Sequence, residues 1–112
     1  MVNKKFTLDR GDIVWVDFNP TKGHEQSGVR PAVVVSPLKY NAISTMVLAC
    51  PITKKHKGYF FEVPINELPE KSFALVDQPR SVDSKVRIKR HTGRVSDDEM
   101  YEILARIAIL LQ

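Results

Sequence analysis

The sequence predicts a mainly β fold with one well-marked helix: a small barrel, closed or half-closed, followed by a C-terminal α-helix. Five or six short runs rich in β-branched and aromatic residues are separated by Gly, Pro, Asn and Ser turn signals, the pattern of small barrels. From Ser96 onward the periodicity becomes helical behind a capping box. The chain has 112 residues, enough for one modest core, so residues 1–112 read as a single domain.

Asp12–Phe18 is the first strand by its β-branched and aromatic content. Asn19-Pro20-Thr21-Lys22-Gly23 breaks it with turn chemistry and opens a polar loop lasting until Gly28. Arg30–Ser36 is the second strand, where three consecutive valines favour a packed, pleated backbone and Pro37 stops the run. Pro31 fixes its own φ and biases Arg30 toward an extended conformation, which holds that arginine at the strand's entrance. Leu38–Ala42 reads as a single helical turn. Thr45–Thr53 is the third strand, with Pro51 implying a bulge or an edge position.

A basic turn, Lys54-Lys55-His56-Lys57-Gly58, leads into a strand over Tyr59–Val63 that ends at Pro64. A loop over Asn66–Lys71 precedes a strand over Ser72–Asp77. Gln78-Pro79-Arg80-Ser81 leaves that strand, and Lys85–Ile88 is the last short one. Ser96 with Glu99 forms the capping box, and Asp97 and Asp98 complement the helix N-terminus. Met100, Ile103, Leu104, Ile107 and Leu111 recur at helical spacing as one apolar face. Ile109 and Leu110 fall off that face, as a second buried contact such as a subunit interface requires.

Composition narrows the classes. Apolar residues make up 43% and charged residues 27%, as in ordinary soluble globular proteins. The longest apolar runs are far too short to span a bilayer, and no secretory signal pattern opens the chain. A lone Cys50 excludes an internal disulfide framework and is compatible with a reducing cytoplasm; its apolar neighbours make it a buried structural thiol rather than a nucleophile. The net charge of +4 is uneven: residues 80–94 carry +5 and residues 95–112 carry −3. A basic stretch of this kind suits a polyanion or an acidic peptide.

Chemistry is harder to place from residue types. His24, His56 and His91 are scattered and form no ligand pattern with Cys50 or a carboxylate, so neither a metal nor a cofactor is implied. There is no glycine-rich phosphate loop and no nucleophile elbow. What remains is a set of polar residues near strand ends: Glu25 and Arg30 around the first loop, Thr53 after the third strand, then Gln78, Arg80 and Ser81. Taken alone, Arg30 reads as a solvated charge at a strand end, and a strand threonine is commonplace.

Together these residues carry a resemblance. Gly11-Asp12-Ile13-Val14-Trp15-Val16-Asp17-Phe18, then Gly23-His24-Glu25-Gln26-Ser27-Gly28-Val29-Arg30-Pro31-Ala32-Val33-Val34-Val35-Ser36, resembles the signature of the MazF/PemK toxins. These are ribosome-independent, sequence-specific endoribonucleases of bacterial toxin–antitoxin pairs. Pro51-Ile52-Thr53 and Asp77-Gln78-Pro79-Arg80-Ser81 resemble the next two motifs in order, and the likeness extends over essentially the whole chain.

The resemblance implies an SH3-like barrel of the plasmid-maintenance-toxin type with a C-terminal helix, usually homodimeric. It implies metal-independent cleavage of single-stranded RNA through the 2′-OH, leaving a 2′,3′-cyclic phosphate and a 5′-OH. Arg30 and Thr53 fall on its catalytic positions, Glu25 on a loop position tied to activity, and Gln26, Gln78, Arg80 and Ser81 on the RNA groove. The base stays open among Glu25, an arginine and the substrate itself. The implied partners are mRNA and an antitoxin whose acidic, disordered segment folds over the same groove. Val29 replaces a histidine found in some members, and Pro79 an aliphatic residue, which puts strand pairing there in question. Two other classes fit the same barrel: a gyrase-directed toxin and a non-catalytic RNA-binding module. The Arg-Pro and Pro-Ile-Thr motifs argue against both.

Overall fold

The computed structural model describes residues 7–18 and 28–112. Seven strands and two helices follow one another as β1 (Asp12–Asp17), β2 (Val29–Val34), α1 (Leu38–Ile43), β3 (Met46–Thr53), β4 (Glu62–Ile65), β5 (Ser72–Leu75), β6 (Arg80–Asp83), β7 (Ile88–Arg94) and α2 (Asp97–Leu110). The strands lie in the order β4-β5-β3-β2-β1-β7, all antiparallel, with β6 added against β3. β4 and β7 end the path without pairing to each other, so the expected barrel is of the half-closed kind.

Apolar side chains alternate between two cores. In β1, Ile13 enters the first core while Val14 and Val16 enter the second; in β2, Val33 enters the first while Ala32 and Val34 enter the second. β3 repeats the division, with Cys50 and Ile52 on one side and Val47 and Ala49 on the other. Strands buried on both faces need no polar alternate positions, which is why the valine run is continuous. The first core is completed by β4, β5 and Ile103 of α2, the second by Leu8, Val82, Phe18 and Ile88.

β3 is the hub of this sheet. One side pairs with β2 through Ala49, Cys50 and Pro51. The other is shared, Met46–Ala49 pairing with β6 and Ile52–Thr53 with β5. The edge position expected for Pro51 is therefore corrected: Pro51 is buried in a central strand. It sits where β3 exchanges one partner for another, a gap that spares the ladder a bond proline cannot make.

Other boundaries differ from expectation. Pro64 lies inside β4 instead of ending it, tolerated because β4 pairs only with β5. Lys85–Arg87 is a turn, not a strand: Asp83 Oδ1 accepts from the N–H groups of Lys85 and Val86 at 2.9 and 3.2 Å, and Arg87 N donates to the Asp83 carbonyl at 2.8 Å. The strands themselves flank it as β6 and β7. Pro79 precedes β6 and leaves its register with β3 intact from Arg80 onward.

α2 begins at the predicted box. The Ser96 hydroxyl accepts from Glu99 N at 3.1 Å while Glu99 Oε1 accepts from Ser96 N at 2.9 Å. The other oxygen of Glu99 accepts from Asn66 N at 2.8 Å, tying the helix start to the end of β4. Met100, Ile103 and Ile107 pack on the first core, whereas Leu104 is only half-buried. Leu111 departs from the expected apolar face: it is the C-cap and lies 80% exposed. Among the described residues, no helix is long and apolar enough to cross a membrane.

The double use of Glu99 yields a stability test. Ser96→Ala removes one cap bond and is expected to cost about 1 kcal/mol. Glu99→Ala strips two N–H groups of a charged acceptor and is expected to cost about 2–3 kcal/mol. Urea unfolding of both variants checks the order, and equal losses would contradict the tie to Asn66.

Candidate active site

The register between β2 and β3 builds the site. Ala32 opposes Pro51, Val33 opposes Cys50 and Val34 opposes Ala49. The paired residues end at Ala32 and Pro51, and extending that register by two steps aligns Arg30 with Thr53. Both line a cavity of about 530 Å³. Its apolar lining includes Trp15, Pro31, Ile52 and Leu68, and its polar lining includes Lys54, Lys55, Glu70 and Ser72. A basic, partly apolar hollow of this size accommodates an unstacked nucleotide with its phosphate.

Local chemistry prepares both side chains. Pro31 at position two of the Arg30-Pro31-Ala32 run keeps Arg30 extended, and the guanidinium stays exposed and charged. The Thr53 oxygen accepts from Lys55 N at 3.1 Å, which leaves the hydroxyl's own hydrogen free to donate. Lys54 reaches Glu70 with an N–O separation of 2.8 Å, joining the β3–β4 and β4–β5 connections beside the cavity.

Arg80 and Ser81 lie in a neighbouring cavity of about 270 Å³, shared with Asp17, Phe18 and Arg87. Arg80 opposes Ala49 across β3, and its Cζ lies 4.9 Å from the centroid of the Phe18 ring. Strand alternation places Arg30, Thr53 and Arg80 on the sheet face that carries the second core, with Ser81 on the other parity opposite Leu48. Gln78 is exposed in the β5–β6 turn and lines neither cavity. Glu25, Gln26 and His24 lie outside the described residues.

Several other titratable groups are engaged elsewhere. Burial, and then the negative charge of Asp77, push the Cys50 thiol up to about 12, so it is inert as a nucleophile. Burial opposes ionisation of Glu62, but hydrogen bonds from the Lys57 and Tyr59 backbones and the nearby His56 outweigh it and hold the carboxyl below its ordinary value. Tyr59 donates to Asp77 Oδ2 at 2.8 Å, and this bond, ahead of burial, raises its phenol. His91 lies 3.5 Å from Asp12, which also takes Arg94 at 2.9 Å. Among the described residues no three His, Cys, Asp or Glu side chains gather to hold a metal ion.

Sequence reasoning thus placed Arg30 and Thr53 at separate strand ends, and the structure brings them to one cavity. It missed Lys54 and Lys55, read only as a turn. Their signal was visible: two lysines directly behind Thr53 continue the strand's direction along the same wall. It also missed Phe18 as the aromatic platform beside Arg80.

Residues 9–111 match the family model for PemK-like, MazF-like toxins of type II toxin–antitoxin systems. The chain is 43% identical over 107 residues to the endoribonuclease toxin MazF of Escherichia coli strain K12, covering 96% of each. It is 33% identical to endoribonuclease PemK of Escherichia coli, covering 99% of this chain and 87% of that one. A crystal structure of MazE-MazF from Deinococcus radiodurans superposes with a TM-score of 0.85 at 37% identity, over 96% of this chain and 97% of that one.

Proposed function

The chain belongs to the PemK-like, MazF-like toxins of type II toxin–antitoxin systems; it is an endoribonuclease toxin, and we propose that it cuts single-stranded RNA at the cavity between Arg30 and Thr53 by a metal-independent route. The observation that carries this reading is that Arg30 and Thr53, from two distant sequence motifs, line one cavity at the end of the β2–β3 ladder.

RNA carries its own nucleophile. The 2′-oxygen attacks the adjacent phosphorus, the O2′–P bond forms, and the P–O5′ bond breaks to give a 2′,3′-cyclic phosphate and a 5′-OH. The 2′-proton leaves to a base, and a proton is delivered to the departing 5′-oxygen. Negative charge grows on the non-bridging oxygens meanwhile, and the planar guanidinium of Arg30 is suited to receive it. The Thr53 hydroxyl, held from a stiff strand and already accepting from Lys55, donates to the same phosphate and fixes its orientation. Glu25 is our candidate for the base.

Neighbouring nucleotides extend toward Arg80, where Phe18 supplies a stacking surface and the guanidinium reads base edges. Gln26, Gln78 and Ser81 belong to this reading as RNA-binding residues. An acidic antitoxin segment, folding over the cationic surface of Arg30, Lys54, Lys55 and Arg80, would block RNA by occupying its charge partners. The site of action is the cytoplasm, where mRNA is the substrate.

The reading is tested with purified protein and a long mixed-sequence RNA, the new ends being mapped. Arg30→Ala and Thr53→Ala are each expected to fold and to lose about 10²–10³ of the cleavage rate. Near-normal cutting by folded Arg30→Ala contradicts the assignment, and a wild type that binds RNA without cutting contradicts the enzyme itself.

We also infer a homodimer. Ile109 and Leu110 near the end of α2, with Leu111 at its cap, are exposed apolar side chains that a second copy would cover. Sedimentation at micromolar concentration should give a dimer, and Ile109→Glu should weaken it. A strict wild-type monomer overturns the dimer, and an unaffected Ile109→Glu overturns the part given to the helix.

A further inference from the structure

Residues 54–61, between β3 and β4, have no regular secondary structure, yet they carry Lys54 and Lys55 along the cavity directly behind Thr53. Such a segment holds cations in place only if something else holds it. At its start, the Thr53 hydroxyl takes Lys55 N. Further along, Lys57 N donates to both oxygens of Glu62, at 3.1 and 3.3 Å. Between these points stands His56. Its Nδ1 lies 3.2 Å from Glu62 Oε1, and its ring stacks on Phe73 with centroids 4.3 Å apart and 15° between the planes.

Both partners of His56 are fixed. The Glu62 side chain is 2% exposed, and Phe73 is buried directly opposite Thr53 in the β3–β5 ladder. The imidazole is 58% exposed. We infer that His56 is a positioning residue for RNA binding, clamping the Lys54–Lys55 segment against Phe73 and Glu62 so that Lys55, and Lys54 beside it in its pair with Glu70, stay along the cavity where the substrate's phosphates would lie. This rests on the reading of the cavity as the RNA site.

The clamp has two arms: the imidazole Nδ1 reaches the Glu62 carboxylate, and the ring face lies on Phe73. Ordering the lysines before RNA arrives lowers the entropy that binding must otherwise overcome.

The test measures affinity for a mixed-sequence single-stranded RNA made uncleavable by 2′-O-methylation, by fluorescence anisotropy. His56→Ala should bind about fivefold more weakly than wild type. His56→Gln, which keeps a donor for Glu62, should recover part of that affinity. In a Lys54→Ala/Lys55→Ala background, His56→Ala should cause no further loss. His56→Ala binding like wild type overturns the clamp. An undiminished His56→Ala effect in the lysine-free background also overturns it, because the imidazolium would then be meeting RNA directly. Cleavage of unmodified RNA is followed in parallel: binding as described without cutting overturns the enzymatic reading alone, and no binding by the wild type overturns both.

Discussion

The pairing of β2 with β3 is the constraint on which the structure rests. It joins the two halves of the sheet, and its residues line both cores at once. A slip of one residue would exchange the faces of Ala32, Val33 and Val34 and move Arg30 away from the face of Thr53. Folding and the proposed catalysis therefore call for the same register. The apolar residues fix it because both faces are buried, and the polar residues at its end inherit the alignment.

Positive charge is distributed around this frame in a way composition alone hides. The basic stretch of residues 80–94 is not one surface. Arg80 stands by Phe18 near the site, Lys85 and Arg87 belong to the turn organised by Asp83, and Arg90 lies over Trp15 with its Cζ 4.8 Å from the ring centroid. Arg94 is engaged by the buried Asp12. Arg30, Lys54 and Lys55 gather at the cavity from outside that stretch. Local charge counts identified an affinity for anions without locating it, since they ignore which side chains the fold commits to structural bonds.

Much of the fold was legible. The first three strands, the helical turn at residue 38 and the capped C-terminal helix follow from β-branched runs, prolines and the Ser96–Glu99 spacing. The β6–β7 region was not legible, because β7 is an end strand of mostly exposed polar residues and gives no apolar period. Pro64 and Pro51 misled for a related reason: proline's effect depends on which side of a strand lacks a partner, a property of the sheet rather than of the residue. At the site, Arg30 and Thr53 were named through motif resemblance, but their opposition required the register. The role inferred for His56 depends on Phe73 and Glu62, neither of which its sequence neighbourhood reveals.

The central claim is that substrate RNA supplies the nucleophile while Arg30 and Thr53 hold its phosphate. The most direct measurement uses an oligonucleotide spanning a mapped cleavage site, with a single 2′-deoxy substitution at the residue upstream of the cut bond, in excess EDTA. The account predicts that the substituted strand binds and stays intact, while the unsubstituted strand is cut to a 2′,3′-cyclic phosphate and a 5′-OH. Cleavage of the substituted strand at that bond, or loss of all cutting in EDTA, would contradict it.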